Sequence, residues 1–197
     1  MSYQAEVLSA RIIPLGNMDA RIATAVRVVA FALLTAACAQ IRIELGFTPV
    51  PITGQTFAVL LTGAVLGSRE GAASQFVYVA LGAVGLPFYA GGAGGWEVTT
   101  GATGGYLVGF ILAAYVTGYL AEQHHDRRFA TSVGTFLTGN LIIYVLGVAW
   151  LMYTFSWGLA EGVEKGMAPF LIGDTLKILL AAGATPIAWK LVGRSDA

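Results

Sequence analysis

The chain has 197 residues, 56% of them hydrophobic and only 11% charged, with 26 glycines and a formal net charge of zero. Its mean hydropathy is +0.73. A soluble globular protein carries about 25% charged residues because its surface must be wetted. There is too little charge here to coat a water-facing surface, and the balanced charge argues against a nucleic-acid partner. The length suits one bundle with no separate catalytic domain. Glycines let spanning helices approach closely. The single cysteine, Cys38, lies among alanines and reads as a small packing residue.

A spanning helix needs about 20 mostly apolar residues across roughly 30 Å of hydrocarbon. The first such run, 22–41, follows a mixed polar stretch, so no cleavable secretory signal is expected. It contains Arg27, close enough to one boundary to snorkel toward the headgroups. A shorter run, 52–67, ends at the polar turn Ser68-Arg69-Glu70-Gly71, and 72–86 stops at Pro87, which cannot continue a hydrogen-bonded helix. A Gly-rich loop leads to the fourth span, 105–121, closed by the charged segment 122–128. The fifth span is 130–152, followed by a loop with Trp157, Glu161, Glu164 and Lys165. The sixth, 171–192, carries Asp174, Lys177 and Pro186. The fold expected is all-α and integral to the membrane, a bundle of six helices in a single domain, 1–197.

Basic residues orient it. With the N-terminus in the cytoplasm, the inner segments hold Arg11, Arg21, Arg69, Arg127, Arg128, Lys190 and Arg194, and the outer ones only Arg42 and Lys165. This bias predicts that both termini are cytoplasmic. The irregular Gly/Pro/aromatic segments, 46–55, 86–106 and 169–174, then all fall outside. Irregular backbone at membrane depth persists where it is buried in protein or lines a cavity, so the loop set predicts an outward-facing ligand site. Asp174 and Lys177 sharpen it. Ionisable groups in an apolar helix cost several kcal/mol unless paired or wetted, and the i, i+3 spacing puts both on one face. Asn140 adds a group that both donates and accepts hydrogen bonds. Neither a Gly-x-x-x-x-Gly-Lys-Ser/Thr loop nor a Gly-x-Ser-x-Gly elbow occurs, so neither ATP hydrolysis by this chain nor serine-type catalysis is expected. His124-His125 sit among charges and read as a solvated loop; no metal site is expected.

The runs Ala39-Gln40-Ile41-Arg42-Ile43 and Pro49-Val50-Pro51-Ile52-Thr53-Gly54-Gln55-Thr56-Phe57 resemble the signature of the BioY family. The likeness continues through Gly85-Leu86-Pro87-Phe88-Tyr89-Ala90-Gly91-Gly92, Gly101-Ala102-Thr103-Gly104-Gly105-Tyr106, Gly139-Asn140 and Pro169-Phe170-Leu171-Ile172-Gly173-Asp174-Thr175-Leu176-Lys177. Ala102 departs from it, standing where the family usually has Pro. BioY proteins are the biotin-specific S components of energy-coupling-factor transporters. The resemblance therefore implies biotin uptake at a bacterial inner membrane, without enzymatic activity and with no cofactor. It implies two kinds of partner, a transmembrane T component and cytoplasmic ABC-type ATPases that use the ATP. The family's small-residue docking motif corresponds to Ala32-x-x-x-Ala36. Ring recognition is assigned to Asn140, Asp174 and Lys177, with Asp174 accepting from a ureido N–H and Lys177 donating to its carbonyl. Tyr89, Trp96 and Tyr144 are expected as walls. The valerate carboxylate would be held by backbone N–H groups of Gly101, Thr103, Gly104 and Gly105 at a helix start, or by Arg42. Two other classes compete: an intramembrane enzyme, which lacks a nucleophile or metal cluster, and a small channel or structural membrane protein, which needs no buried Asp/Lys pair. An S component for another vitamin would share the fold.

Overall fold

The computed structural model describes residues 7–12 and 18–193. Both chain ends, with Arg194, lie outside the described residues, as does the side chain of Arg11. The elements are α1 (Leu8–Ile12), α2 (Ala20–Ala39), β1 (Arg42–Ile43), β2 (Ile52–Thr53), α3 (Gln55–Leu66), α4 (Ser68–Ala83), α5 (Trp96–Thr99), α6 (Gly104–Glu122), α7 (Phe129–Phe155), α8 (Leu159–Gly166) and α9 (Leu171–Gly193). Asp19 starts α2, its carboxylate accepting from the Arg21 N–H at 2.8 Å and satisfying a donor that the helix leaves free. Four stretches are long and apolar enough to cross a membrane: α2, α6, α7 and 159–192. Large apolar side chains such as Leu33, Leu141, Val145 and Leu180 are exposed on their outer faces, as lipid-facing surfaces require.

The shortest of the large helices holds the centre. At 12 residues α3 rises only about 18 Å, well short of the hydrocarbon thickness, and it packs on α2, α4, α6 and α9. Its neighbours come close because small residues face them: a Cβ on Gly63 would strike Thr117 and the Ala114 carbonyl, and one on Gly139 would strike Thr117 and Leu60. Between α3 and α4 stands Gly67 alone, at φ +83°, a conformation that costs an L side chain heavily. The expected polar turn Ser68-Arg69-Glu70-Gly71 is instead the first turn of α4. Its cap arrives from elsewhere. Glu122, at the end of α6, accepts from the Ser68 N–H at 2.7 Å and the Ser68 hydroxyl at 2.8 Å, placing negative charge on a helix N-terminus.

At the same end the α6–α7 loop clasps α9. Asp126 is buried and takes the Trp189 indole N–H at 2.5 Å, while the Arg127 guanidinium lies 4.4 Å above the Trp189 ring. Burial raises the Asp126 carboxyl above its usual range despite that hydrogen bond.

Two expectations about α2 change. Ala32 is fully buried and Ala36 nearly so, in the core shared with Tyr78 of α4. Their small size seats α2 on α4, so this pair presents no surface to a partner subunit. Arg27, expected to snorkel, instead makes a two-point ion pair with Glu70 of α4. Nε donates to Oε2 at 2.8 Å and Nη2 to Oε1 at 2.7 Å, and the Thr24 hydroxyl reaches the same Oε1 at 3.0 Å. The fork geometry of guanidinium and carboxylate makes this a strong contact between the two helices. Glu70→Gln is expected to lower stability by about 1.5–3 kcal/mol, the range for hydrogen bonds to charged groups, read as an earlier thermal transition in detergent. Arg27→Glu combined with Glu70→Arg is expected to recover part of it. A Glu70→Gln protein that melts with the parent would show that the pair does not hold α2 to α4.

Candidate functional site

The three irregular segments gather at the end of the bundle opposite Glu122 and Asp126, around one cavity. Its volume is about 450 Å³, inside the roughly 300–1,000 Å³ range of small-molecule sites. The roof is the 40–54 segment. A two-residue antiparallel ladder sets Arg42 across from Thr53 and Ile43 across from Ile52, and the Thr48 hydroxyl ties the tip to the Lys165 carbonyl at 2.8 Å. Val98, Tyr106, Leu107, Phe110, Ile143 and Phe170 supply apolar wall.

The polar floor is built where α3 begins, against α7 and α9. Asp174 is 4% exposed. Its Oδ1 accepts from the Lys177 ammonium at 2.8 Å and the Thr56 hydroxyl at 2.9 Å, and its Oδ2 from the Tyr144 hydroxyl at 2.6 Å. Lys177 also donates to the Thr53 carbonyl at 2.5 Å and to Thr56 Oγ1 at 3.1 Å. An ammonium has three donors and a carboxylate about four acceptor sites. Lys177 is therefore saturated, and Asp174 keeps one open position, on Oδ2. The ion pair on α9 is compensated from three further elements, β2, α3 and α7, without any ligand, and what it offers to a ligand is an acceptor.

Of the residues expected at the site, Asp174, Lys177, Tyr144, Tyr89, Arg42, Gly101 and Thr103 line the cavity. Several take roles other than those expected. Lys177 has no spare N–H for a ligand carbonyl. Tyr144 is a hydrogen-bond partner of Asp174 as well as a wall. Asn140 stands outside the lining, one helical turn from Tyr144 on α7, with its Oδ1 buried and without a partner among the described residues. Tyr89 turns its hydroxyl away from the cavity, to the Val79 carbonyl at 2.8 Å and Thr99 Oγ1 at 2.9 Å. Burial raises its phenol above the usual range. Arg42 sits at the mouth, bonded to Glu44 at 2.5 Å and to the Ala90 carbonyl at 3.4 Å. Gly91, at φ +70°, leaves room for that guanidinium.

Trp96, Gly104 and Gly105 fall outside the lining. Trp96 is 69% exposed on α5, where one helical turn cannot carry it inward. A Cβ on Gly104 or Gly105 would press into Trp150, so these glycines exist to seat α6 on α7. The Gly104 N–H is moreover spent on the Gly101 carbonyl at 3.1 Å. Sequence reasoning missed Gln55 and Thr56 as floor residues. Their signal was the polar run Thr53-Gly54-Gln55-Thr56 opening an apolar stretch, which reads equally well as an ordinary helix start.

Comparison with known proteins agrees with this architecture. The chain matches the BioY family over residues 11–194. It is 42% identical to a biotin transporter BioY of Thermotoga maritima over 152 residues, 77% of this chain and 87% of that protein. It is 39% identical to a biotin transporter BioY of Rhizobium etli over 147 residues, 71% of this chain and 78% of that one. In fold it resembles the crystal structure of the S component for biotin from an ECF-type ABC transporter, with a TM-score of 0.78 at 24% identity, covering 88% of this chain and 95% of the other. A membrane-spanning helical bundle of S-component fold, matched by its family from the first short helix to the end of the last, the chain belongs to the BioY family.

Proposed function

We propose that this chain is the biotin-binding S component of an energy-coupling-factor transporter, taking up biotin from outside a bacterial inner membrane. The observation that carries the reading is the acceptor left open on Asp174, at the polar floor of a cavity with apolar side walls. Biotin's bicyclic end is an apolar sulfur ring fused to a urea whose two N–H groups must find acceptors when buried. Asp174 Oδ2 accepts one of them. Tyr106, Phe110 and Ile143 cover the thioether ring. The valerate extends to the mouth, where its carboxylate meets Arg42 in place of the exposed Glu44. The chain uses no cofactor. Its partners are a transmembrane T component and a pair of cytoplasmic ATPases; the ATPases consume the ATP, which agrees with the lack of a P-loop here.

Asp174→Asn and Lys177→Ala are each expected to weaken biotin binding about 30- to several-thousand-fold, since removing one member of a buried hydrogen-bonded pair strands the other. Equilibrium binding of labelled biotin to the purified protein measures this. The double variant Asp174→Asn with Lys177→Met is expected to regain thermal stability and still fail to bind. Normal affinity in that variant would reduce the pair to an internal ion pair and remove it from the site.

Outward capture requires the cavity end to face the exterior, with both termini inside. In a Cys38→Ala background, a cysteine replacing Glu161 is expected to react with an impermeant thiol reagent added to intact cells. One replacing His125 is expected to react only after the membrane is opened. The reverse pattern would turn the cavity toward the cytoplasm and defeat the capture mechanism.

A further inference from the structure

The floor contains one donor that the Asp174 cluster does not use. Gln55, the first residue of α3, lines the cavity and is 7% exposed. Its amide is held at both ends. Oε1 accepts from the Thr53 hydroxyl at 2.7 Å, and Nε2 donates to the Tyr78 hydroxyl at 2.5 Å. An amide nitrogen has two N–H groups; among the described residues none accepts the second, and it is left to the cavity. Tyr78 is fully buried in α4 and is not part of the lining. Phe88 stacks on it at 6.5 Å between ring centroids, and Tyr89 meets it edge-on at 5.7 Å. A phenol hydroxyl so deep in an apolar core is costly unless it is paired, and its partner here is a cavity residue.

A cyclic urea carries an acceptor, its carbonyl, between its N–H groups. Asp174 accepts only, and every Lys177 donor is already engaged. We propose that Gln55 is the donor that receives the ligand's ring carbonyl, and that Tyr78 is the positioning residue that aims it. Gln55 and Asp174 together then read the ring as acceptor beside donor, which an apolar bicycle of the same size does not satisfy. A site built to hydrogen-bond one group rejects the analogue lacking it, because its own polar atom is left unpaired.

The inference rests on the biotin reading, and ligand discrimination tests it. In 2-thiobiotin a C=S, a far weaker hydrogen-bond acceptor, replaces the ring C=O. The unaltered protein is expected to bind biotin about 10- to 100-fold more tightly than the thio analogue, the worth of one buried hydrogen bond. In Gln55→Met, close in size, the gap is expected to shrink to about threefold or less, chiefly through loss of biotin affinity. Gln55→Glu, which puts an acceptor where the donor was, is expected to abolish the preference. Tyr78→Phe touches no ligand and is expected to narrow the gap as well, which a purely structural role would not do; melting temperatures of all three are recorded alongside. A Gln55→Met protein that keeps the full gap, or an unaltered protein without one, overturns the assignment of the donor. A full gap in Tyr78→Phe alone overturns the positioning role. Failure of the unaltered protein to bind either compound overturns the biotin reading itself.

Discussion

A carboxylate buried in a membrane bundle has to be surrounded before anything else can be arranged. Asp174 carries that demand. An isolated charge at this depth costs several kcal/mol, and three helices answer it: α9 through Lys177, α3 through Thr56 and α7 through Tyr144. Much of the architecture follows from bringing those three groups within 3 Å of one carboxyl. The N-terminus of α3 must lie at the depth of Asp174, so α3 cannot run the full thickness of the bilayer and is short. The chain from α2 must therefore descend to it by an irregular route, which makes 40–54 the roof of a cavity.

The contacts at the far end are what allow a short helix to be placed so deeply. Gly67 turns the chain within a single residue, and Glu122 supplies the cap that α4 has no room to supply for itself. Gly118 of α6 packs directly on the backbone at Gly67 and Ser68, so the turn is held against α6 without a side chain between them. The Arg27–Glu70 pair then fixes α2 on the first turns of α4. One end of the molecule is thus tight and tied by charge, and the other is open and lined by loops.

The sequence disclosed the bundle and the chemistry of its site unevenly, for physical reasons. Apolar runs separated by charged turns are legible because a bilayer imposes a length, and the Asp174/Lys177 pair stands out because charge in an apolar run is rare. The ends of elements were less legible. The cap on α4 comes from Glu122, 54 residues away, and no local pattern announces it. Arg27 read as a snorkelling residue because its partner is 43 positions distant. A side chain at Gly54 would press on the Cys38 carbonyl, where the end of α2 meets the start of α3, and no local pattern announces that contact either. Small residues misled in a consistent way. Ala32 and Ala36, and Gly104 and Gly105, do mark close approach, but within this chain, to α4 and to α7; spacing alone does not distinguish an internal partner from an external one.

The arrangement of the floor also bears on release. Were Lys177 free in the empty protein, departure of the ligand would leave a bare ammonium, and the site would hold its cargo by the cost of letting go. Here Lys177 is fully bonded to Thr53, Thr56 and Asp174, so no charge is orphaned when the cavity empties. On the proposed reading, binding adds one acceptor on Asp174, one donor on Gln55, an exchange of carboxylates at Arg42, and apolar contact with the walls. Each of these groups has an alternative or a modest penalty in the empty state, whereas a binder evolved only to retain its ligand gains nothing from such provision. A transporter passes through the empty state in every cycle, and the saturated ion pair is the feature that makes that state tolerable inside a membrane.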